Sequence, residues 1–344
     1  MNKTYQKIMD AVLEKARREC PEAIDLVGIY GSVLTGDVHE HSDLDLLILI
    51  NDPKGYVLAK TFILDDKGIG YDVYCTSWES LTDDANCGHA HISKLMDSQV
   101  VYVRDESVTE RLEKLKNQAR EILGSDKRYE VVAGIREELC MIYGRAFVAE
   151  TVGQLRGWAA YMITRSLDAV MLWNGKYFKR GVKRTFEELE GLDVPDNFEK
   201  NVMKIVKATN FIELGIALGT LFKSVMRFTE RRTRKAAPTK EGLAGTYEEM
   251  FSNWRNKMPE AAERGDAFSS FMNLASLQYM LEEITAENAI AKFSVMEEFD
   301  ANDLAKNAKI FDDALEDYRQ EYERLGMEPV RYASVDEFVK EYLG

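Results

Sequence analysis

The stretch Gly28-Ile29-Tyr30-Gly31-Ser32-Val33-Leu34-Thr35-Gly36-Asp37-Val38-His39-Glu40-His41-Ser42-Asp43-Leu44-Asp45-Leu46-Leu47-Ile48-Leu49-Ile50 decides how the rest of the chain is read. Ile24 to Tyr30 is largely apolar, Gly31-Ser32 lets a backbone approach a ligand closely, and Leu44 to Ile50 is a buried-strand run. The order is strand, glycine turn, short helix, loop, strand, with two aspartates at the entrance of the second strand.

Side chains alternate along a strand, so Asp43 and Asp45 share a face. Two carboxylates side by side repel and are costly to desolvate, so such a pair holds a cation or keeps a proton. All-oxygen ligands suit magnesium or manganese, and magnesium commonly takes one or two protein carboxylates together with water and substrate phosphates. An isolated Asp-x-Asp is also a common pattern on solvated strand ends, so its neighbours decide its meaning.

Those neighbours are Gly31-Ser32, one loop earlier, and Asp72 within Ile69-Gly70-Tyr71-Asp72-Val73-Tyr74-Cys75, a third strand-like run. The combination of Gly-Ser, a loop, Ser42-Asp43-Leu44-Asp45 and a later acid resembles the nucleotidyltransferase superfamily that includes DNA polymerase beta. The spacing is similar to that of kanamycin and related lincosamide nucleotidyltransferases. The resemblance implies that Asp43, Asp45 and Asp72 ligate two magnesium ions, with manganese as a substitute, and that Asp72 also helps activate the acceptor. It further implies that Gly31, Ser32 and Ser42 belong to the triphosphate site.

The chain of 344 residues is long enough for two domains, with 45% hydrophobic and 30% charged residues. No apolar run approaches the roughly 20 residues that span a bilayer, and the first residues lead into an amphipathic helix, so the protein is read as cytoplasmic without a membrane partner. Cys20, Cys75, Cys87 and Cys140 show no paired spacing and are expected to be free thiols. The net charge of −14 argues against general nucleic-acid binding, and residues 1–118 carry 13 basic against 21 acidic side chains, more than half of the excess. An acidic cleft would suit a cationic acceptor, although solubility alone also accounts for the charge.

Tyr5, Ile8, Met9, Val12, Leu13 and Ala16 recur at helical spacing, and Pro21 ends that helix. Asp52-Pro53-Lys54-Gly55 and Asp65-Asp66-Lys67-Gly68 are turns, Tyr56 to Leu64 is ambiguous between helix and strand, and Gln99 to Val103 is a fourth strand. Cys87-x-His89-x-His91 lacks the further ligands that a tetrahedral zinc site needs. After residue 105 helical periodicity takes over: Val108–Leu123, Val131–Val148, Leu155–Trp173, a helix begun by Pro195, and Asn210–Arg232. The fold class is therefore α+β, with an N-terminal mixed sheet and helices of nucleotidyltransferase type over 1–118 and a mostly α-helical bundle that binds substrate over 119–344, hinged near Gly124-Ser125-Asp126.

No Lys or Arg occurs from Glu19 to Pro53, so the charge of a triphosphate must be met elsewhere. Many superfamily members carry Arg in the Gly-Ser loop where this chain has Leu34-Thr35. Two basic clusters stand further on: Lys176 to Arg184, with aromatics between its charges, and Arg227, Arg231, Arg232, Arg234 and Lys235 at a helix end, where positive charge is favoured in any case. Lys179 and Lys183 of the first cluster are the expected nucleotide contacts. The kanamycin enzyme is similar in using a glutamate of its helical part as general base. Among Glu137, Glu138 and Glu150, Glu138 is the residue chosen for that role, with Asp72 able to act unaided.

The expected activity is transfer of a nucleoside monophosphate, AMP from ATP first, to a hydroxyl of a small molecule such as an aminoglycoside or lincosamide, with antibiotic resistance as the biological setting. A protein or RNA acceptor and a non-catalytic antitoxin-like regulator are the alternatives; acidity counts against RNA, and three intact acids count against the regulator. A HEPN-type ribonuclease is set aside because no histidine follows His91. The resemblance also allows a homodimer.

Overall fold

The computed structural model describes residues 3–39, 42–64, 68–230 and 236–343. The chain divides into two compact units, 1–232 and 233–344.

In the first unit, helix α1 (Lys3–Glu19) buries Tyr5, Met9, Val12 and Ala16, the stripe that its spacing predicts. Strand β1 (Ile24–Ile29), the one-turn helix α2 (Ser32–Thr35) and strand β2 (Leu46–Ile50) follow. A 3-10 turn at Pro53–Leu58 resolves the first half of the ambiguous segment, and its second half is strand β3 (Lys60–Leu64). The run bearing Asp72 splits in two, β4 (Ile69–Val73) and β5 (Cys75–Ser77), where the sequence suggests one strand. The physical reason is a change of partner at Tyr74: β4 pairs antiparallel with β3 as a separate hairpin, and β5 pairs parallel with β2. Helices α3 (Trp78–Ala85) and α4 (Ser93–Met96) lead to β6 (Gln99–Val103). The mixed sheet has the order β5-β2-β1-β6, with β1 antiparallel to both its neighbours.

β1 and β2 are buried along their whole length. One face, with Val27 and Ile48, packs with α1. The other, with Leu26, Leu47 and Leu49, joins a core that continues through α3 and the helices after β6. Burial on both faces explains the unbroken apolar run, where a one-sided sheet would alternate.

Those helices are α5 (Glu106–Gly124), α6 (Lys127–Phe147), α7 (Val152–Trp173), the one-turn α8 (Thr185–Glu188), α9 (Phe198–Lys207) and α10 (Phe211–Glu230). The boundary expected at 118/119 falls inside α5, whose Leu112, Leu115, Ala119 and Leu123 share one core with Leu47 and Leu81 before them and Leu139 and Val170 after them. Burying each such leucine contributes about 1.5–3 kcal/mol, so no cleavage plane exists there. Pro195 does not open α9; the cap is Asn197, held at positive φ, and Pro195 only offers its carbonyl to the Phe198 N–H.

The second unit contains α11 (Lys240–Leu243), α12 (Thr246–Met250), α13 (Lys257–Arg264), α14 (Ala267–Glu287), α15 (Leu304–Arg324) and α16 (Val335–Tyr342). Its core gathers Leu243, Met250, Leu274, Leu277, Phe311 and Tyr318. An α+β first unit and a helical C-terminal region agree with the fold class read from sequence. No helix of the described residues is long and apolar enough to cross a membrane.

Candidate active site

β1 ends at the glycine turn, and Gly31 sits at φ +70°, ψ −145°, a conformation that L side chains rarely adopt. A Cβ placed there would lie 2.0 Å from Asp45 Oδ2. Gly31 is therefore required twice, for its backbone and for the space that the Asp45 carboxylate fills. The Tyr30 N–H donates to the Asp45 carbonyl at 3.1 Å, continuing the β1–β2 ladder to the site. The Ser32 N–H donates to the Asp45 carboxylate.

Leu44 is buried between two aspartates that line the cavity, in the extended segment just before β2 rather than within it. Burial, and then the Asp43 charge, push the Asp45 carboxyl above the usual aspartate range, with the Ser32 bond pulling the other way. Burial and the charges of Asp45 and Asp43 likewise push the Tyr30 phenol up to about 12. Ser42 is anchored: the His39 N–H donates to Ser42 Oγ at 2.9 Å, the Ser42 N–H returns a bond to the His39 carbonyl at 3.0 Å, and the Tyr5 hydroxyl of α1 donates to the Ser42 carbonyl at 2.8 Å. Ser42 thus holds the aspartates in place as well as facing the cavity. His41 lies outside the described residues.

A cavity of about 430 Å³ is lined by Gly31, Ser32, Ser42, Asp43 and Asp45 on one side and by Lys179, Arg180 and Lys183 on the other. The basic segment arrives from beyond α7. The Phe178 N–H donates to the Ala90 carbonyl at 2.8 Å, the Tyr177 hydroxyl donates to Asp97 at 2.8 Å, and the Glu188 carboxylate takes the N–H groups of Lys179 and Arg180 at 2.9 Å each. Asp37, after the α2 turn, then anchors the segment: Arg180 Nε lies 3.3 Å and Arg184 Nε 3.2 Å from its carboxylate, and Lys183 Nζ donates to its carbonyl at 3.1 Å. Burial alone would raise the Asp37 carboxyl; the Thr35 hydroxyl and the two arginines outweigh it and hold it below the usual range. Sequence reasoning did not single out Asp37 or Tyr30. The signal for Asp37 was the lack of any base between Glu19 and Pro53, which leaves an acid in that loop to find its partner far along the chain.

The structure does not bring every sequence-derived residue to this cavity. Asp72 lies on the exposed side of β4 and accepts a bond from Thr61 Oγ1 of β3 at 3.2 Å. Asp72 pairs across the separate β3–β4 hairpin, opposite Thr61, and does not line the cavity. Among the described residues no group of three or more Asp, Glu, His or Cys side chains is close enough to hold one metal ion. Glu138 is occupied elsewhere: Arg165 binds it through Nε at 2.8 Å and a second nitrogen at 3.0 Å, while a third Arg165 nitrogen holds the buried Asp168 at 2.6 Å. Glu138 does not line the cavity. In the second basic cluster, Arg231, Arg232, Arg234 and Lys235 lie outside the described residues. All four cysteines are free, three of them buried.

The donor set suits a divalent cation with substrate phosphates. Two carboxylates share the cavity, one with a raised pKa, and Ser32 Oγ is buried with no hydrogen-bond partner among the described residues. Buried polar atoms are rarely left so, and a phosphate oxygen would accept from this hydroxyl.

Residues 9–131 match the family model of the nucleotidyltransferase domain. The matched nucleotidyltransferase domain includes the whole mixed sheet, the glycine turn and the aspartate pair, and it stops inside α6, before the basic segment. No curated protein matches the chain. Among solved structures, a nucleotidyltransferase-like protein from Exiguobacterium sibiricum 255-15 aligns over 96% of this chain and 95% of its own at 10% identity, with a TM-score of 0.34, a likeness too slight to argue from.

Proposed function

We propose that the protein is a divalent-metal-dependent nucleotidyltransferase that moves a nucleoside monophosphate, AMP from ATP in the first instance, to a hydroxyl of a small molecule. The observation that carries this reading is Gly31, a residue whose conformation and missing side chain serve to seat Asp45 beside Asp43 in a cavity faced by lysines. In the transfer, the acceptor oxygen bonds to the α-phosphorus, the α-phosphorus–oxygen bond to pyrophosphate breaks, and the hydroxyl proton leaves to base or solvent. Asp43 and Asp45 would hold magnesium or manganese, which supplies charge neutralisation and Lewis acidity at the phosphates. Ser32 donates to a phosphate oxygen, and Lys179 and Lys183 neutralise the departing pyrophosphate. Asp72, exposed on β4 outside the cavity lining, is the acid that the resemblance would assign to complete the metal set or accept the proton. Catalysis on this reading is positioning and electrostatics.

The test is incubation with each labelled nucleoside triphosphate, magnesium and a panel of aminoglycosides and lincosamides, followed by mass measurement. A product heavier by one nucleoside monophosphate, abolished in Asp43→Asn, supports the reading; transfer that survives Asp43→Asn and Asp45→Asn refutes it.

A further inference from the structure

Away from the cavity, the first unit carries a groove between α6, α7 and α10 of about 560 Å³, floored by Gly215 and Gly219. Its walls are apolar side chains that a folded protein normally hides: Phe147 is 83% exposed, Ile212 72% and Ile216 67%. Across the Ile216–Thr220 ridge a second hollow is rimmed by Lys200, Lys204 and Lys207 and by one acid, Glu213, which accepts from the Thr209 N–H and hydroxyl, and Lys223 stands on the first. An apolar floor with a basic rim marks a surface for an amphipathic, acidic partner.

The second unit offers a helix of that description. α16 has no buried residue, yet Val335, Phe338, Val339 and Tyr342 recur at positions one, four, five and eight, one continuous face, with Val335 75% and Tyr342 76% exposed. Its other faces carry Asp336, Glu337 and Glu341 against a single base, Lys340. The helix is well started, since Ser334 Oγ accepts the Glu337 N–H at 3.2 Å and Glu337 accepts the Ala333 N–H at 2.7 Å. Even so, helices shorter than roughly 12–15 residues are marginal in water without packing. Eight residues span about 12 Å, comparable to the groove of two helical turns that Ile212, Ile216 and Gly219 define. The other apolar stripe, Phe268, Phe271 and Met272 on α14, has Asp266 at its start, but Asp266 is spent capping the helix through the Ser269 N–H at 2.9 Å and the Ser269 hydroxyl at 2.6 Å.

We propose that α16 of one chain seats its Val335–Phe338–Tyr342 face in the Phe147–Ile216 groove of a second copy, with its carboxylates on the lysine rim. This is independent of the transferase reading, since no residue of either surface lines the catalytic cavity.

Sedimentation velocity of the full chain over a dilution series tests it. The wild type should associate, and Phe338→Glu on the helix and Ile216→Glu in the groove should each weaken association about tenfold or more. An equimolar mixture of the two variants should recover it, because one chain keeps the groove and the other the helix. A labelled peptide spanning residues 332–343 should bind Phe338→Glu and fail to bind Ile216→Glu. Circular dichroism verifies folding, and the surface pair Lys204→Glu with Lys207→Glu replaces Ile216→Glu should that variant unfold. A wild type that stays monomeric at every concentration, association indifferent to both variants, or a folded mixture that does not recover overturns the proposal.

Discussion

Replacing Gly31 with alanine separates the geometry of the site from the stability of the fold. The new methyl carbon would start 2.0 Å from Asp45 Oδ2 and 2.7 Å from its Cγ, whereas ordinary contact begins near 3.4 Å. The carboxylate must therefore retreat by about 1.4 Å, and a misplacement of about 1 Å in a reacting assembly costs on the order of 10²-fold in rate. The backbone conformation, which is nearly glycine-only, costs a further ~1–3 kcal/mol, or about 2–12 °C in the melting temperature of a unit of this size. Gly36→Ala is the control, because Gly36 also has positive φ, +76°, but nothing lies within 4 Å of the point where its methyl would stand. Both variants should melt lower. Only Gly31→Ala should weaken manganese binding, read by electron paramagnetic resonance of the metal, and reduce pyrophosphate release about 10²-fold. Equal manganese affinity and equal turnover in the two variants would refute the claim that Gly31 exists to seat Asp45.

Asp45→Asn should abolish turnover and, in the absence of divalent cations, raise the melting temperature at neutral pH. The sign follows from the raised folded pKa: between the unfolded and folded values the native state binds more protons, so the Asp45 contribution to stability falls as pH rises through that window and is lowest above it. A melting temperature lower than wild type in chelator at pH 7 contradicts this. Lys179→Ala and Lys183→Ala should each weaken nucleotide binding roughly tenfold or more, the equivalent of one charge-assisted bond, and calorimetric titration with a non-hydrolysable triphosphate would show unchanged affinity if the assignment is wrong. Glu138→Gln should keep turnover within a few-fold and cost at most about 1 kcal/mol, since its ion pair with Arg165 is partly solvated. A fall of about 10²-fold in kcat at unchanged nucleotide affinity would return Glu138 to the chemistry.

The sheet could be read from the sequence because burial on both faces leaves an uninterrupted apolar run, and the residues of the candidate cavity could be picked out because Gly31-Ser32 and the Asp43-Leu44-Asp45 pair are local patterns. Partnerships at long range could not. Nothing in Ile69–Cys75 tells that the chain changes strand partner at Tyr74, because either continuation satisfies the same alternation. The α5 boundary was misleading for a related reason: a change from strand to helix periodicity marks an architectural change, whereas the extent of a compact unit depends on which helices share a core, and Leu115 and Leu139 look alike in either arrangement. Glu138 carried no signal of its own, since a helix acid that pairs with Arg165 and one that faces solvent have the same spacing.

On the proposed reading, the long-range pairing would let the Gly-Ser loop dispense with bases of its own. Arg180 and Arg184 reach it from the other end of the first unit, and Asp37 holds them there through opposite oxygens of one carboxylate. An arginine within the loop would have had to approach Asp43 and Asp45 directly, and in the absence of nucleotide it would pair with them and compete with a divalent cation. Placing the cations on a separate segment, tied to a third acid that lies to one side of the pair, leaves Asp43 and Asp45 without a basic partner among the described residues while Lys179 and Lys183 remain on the cavity wall. On the proposed reading, the burial and the Asp43 charge that raise the Asp45 pKa are thus left for a metal to offset. Neutralising the anchor as Asp37→Asn follows directly: the segment loses both arginine contacts and is retained by the Lys183 bond to the Asp37 carbonyl and by Glu188, so nucleotide affinity should fall while manganese affinity of the free protein stays constant. Parallel titrations with manganese alone and with a non-hydrolysable triphosphate measure the two separately, and a joint loss of both would show that Asp37 acts on the metal pair itself.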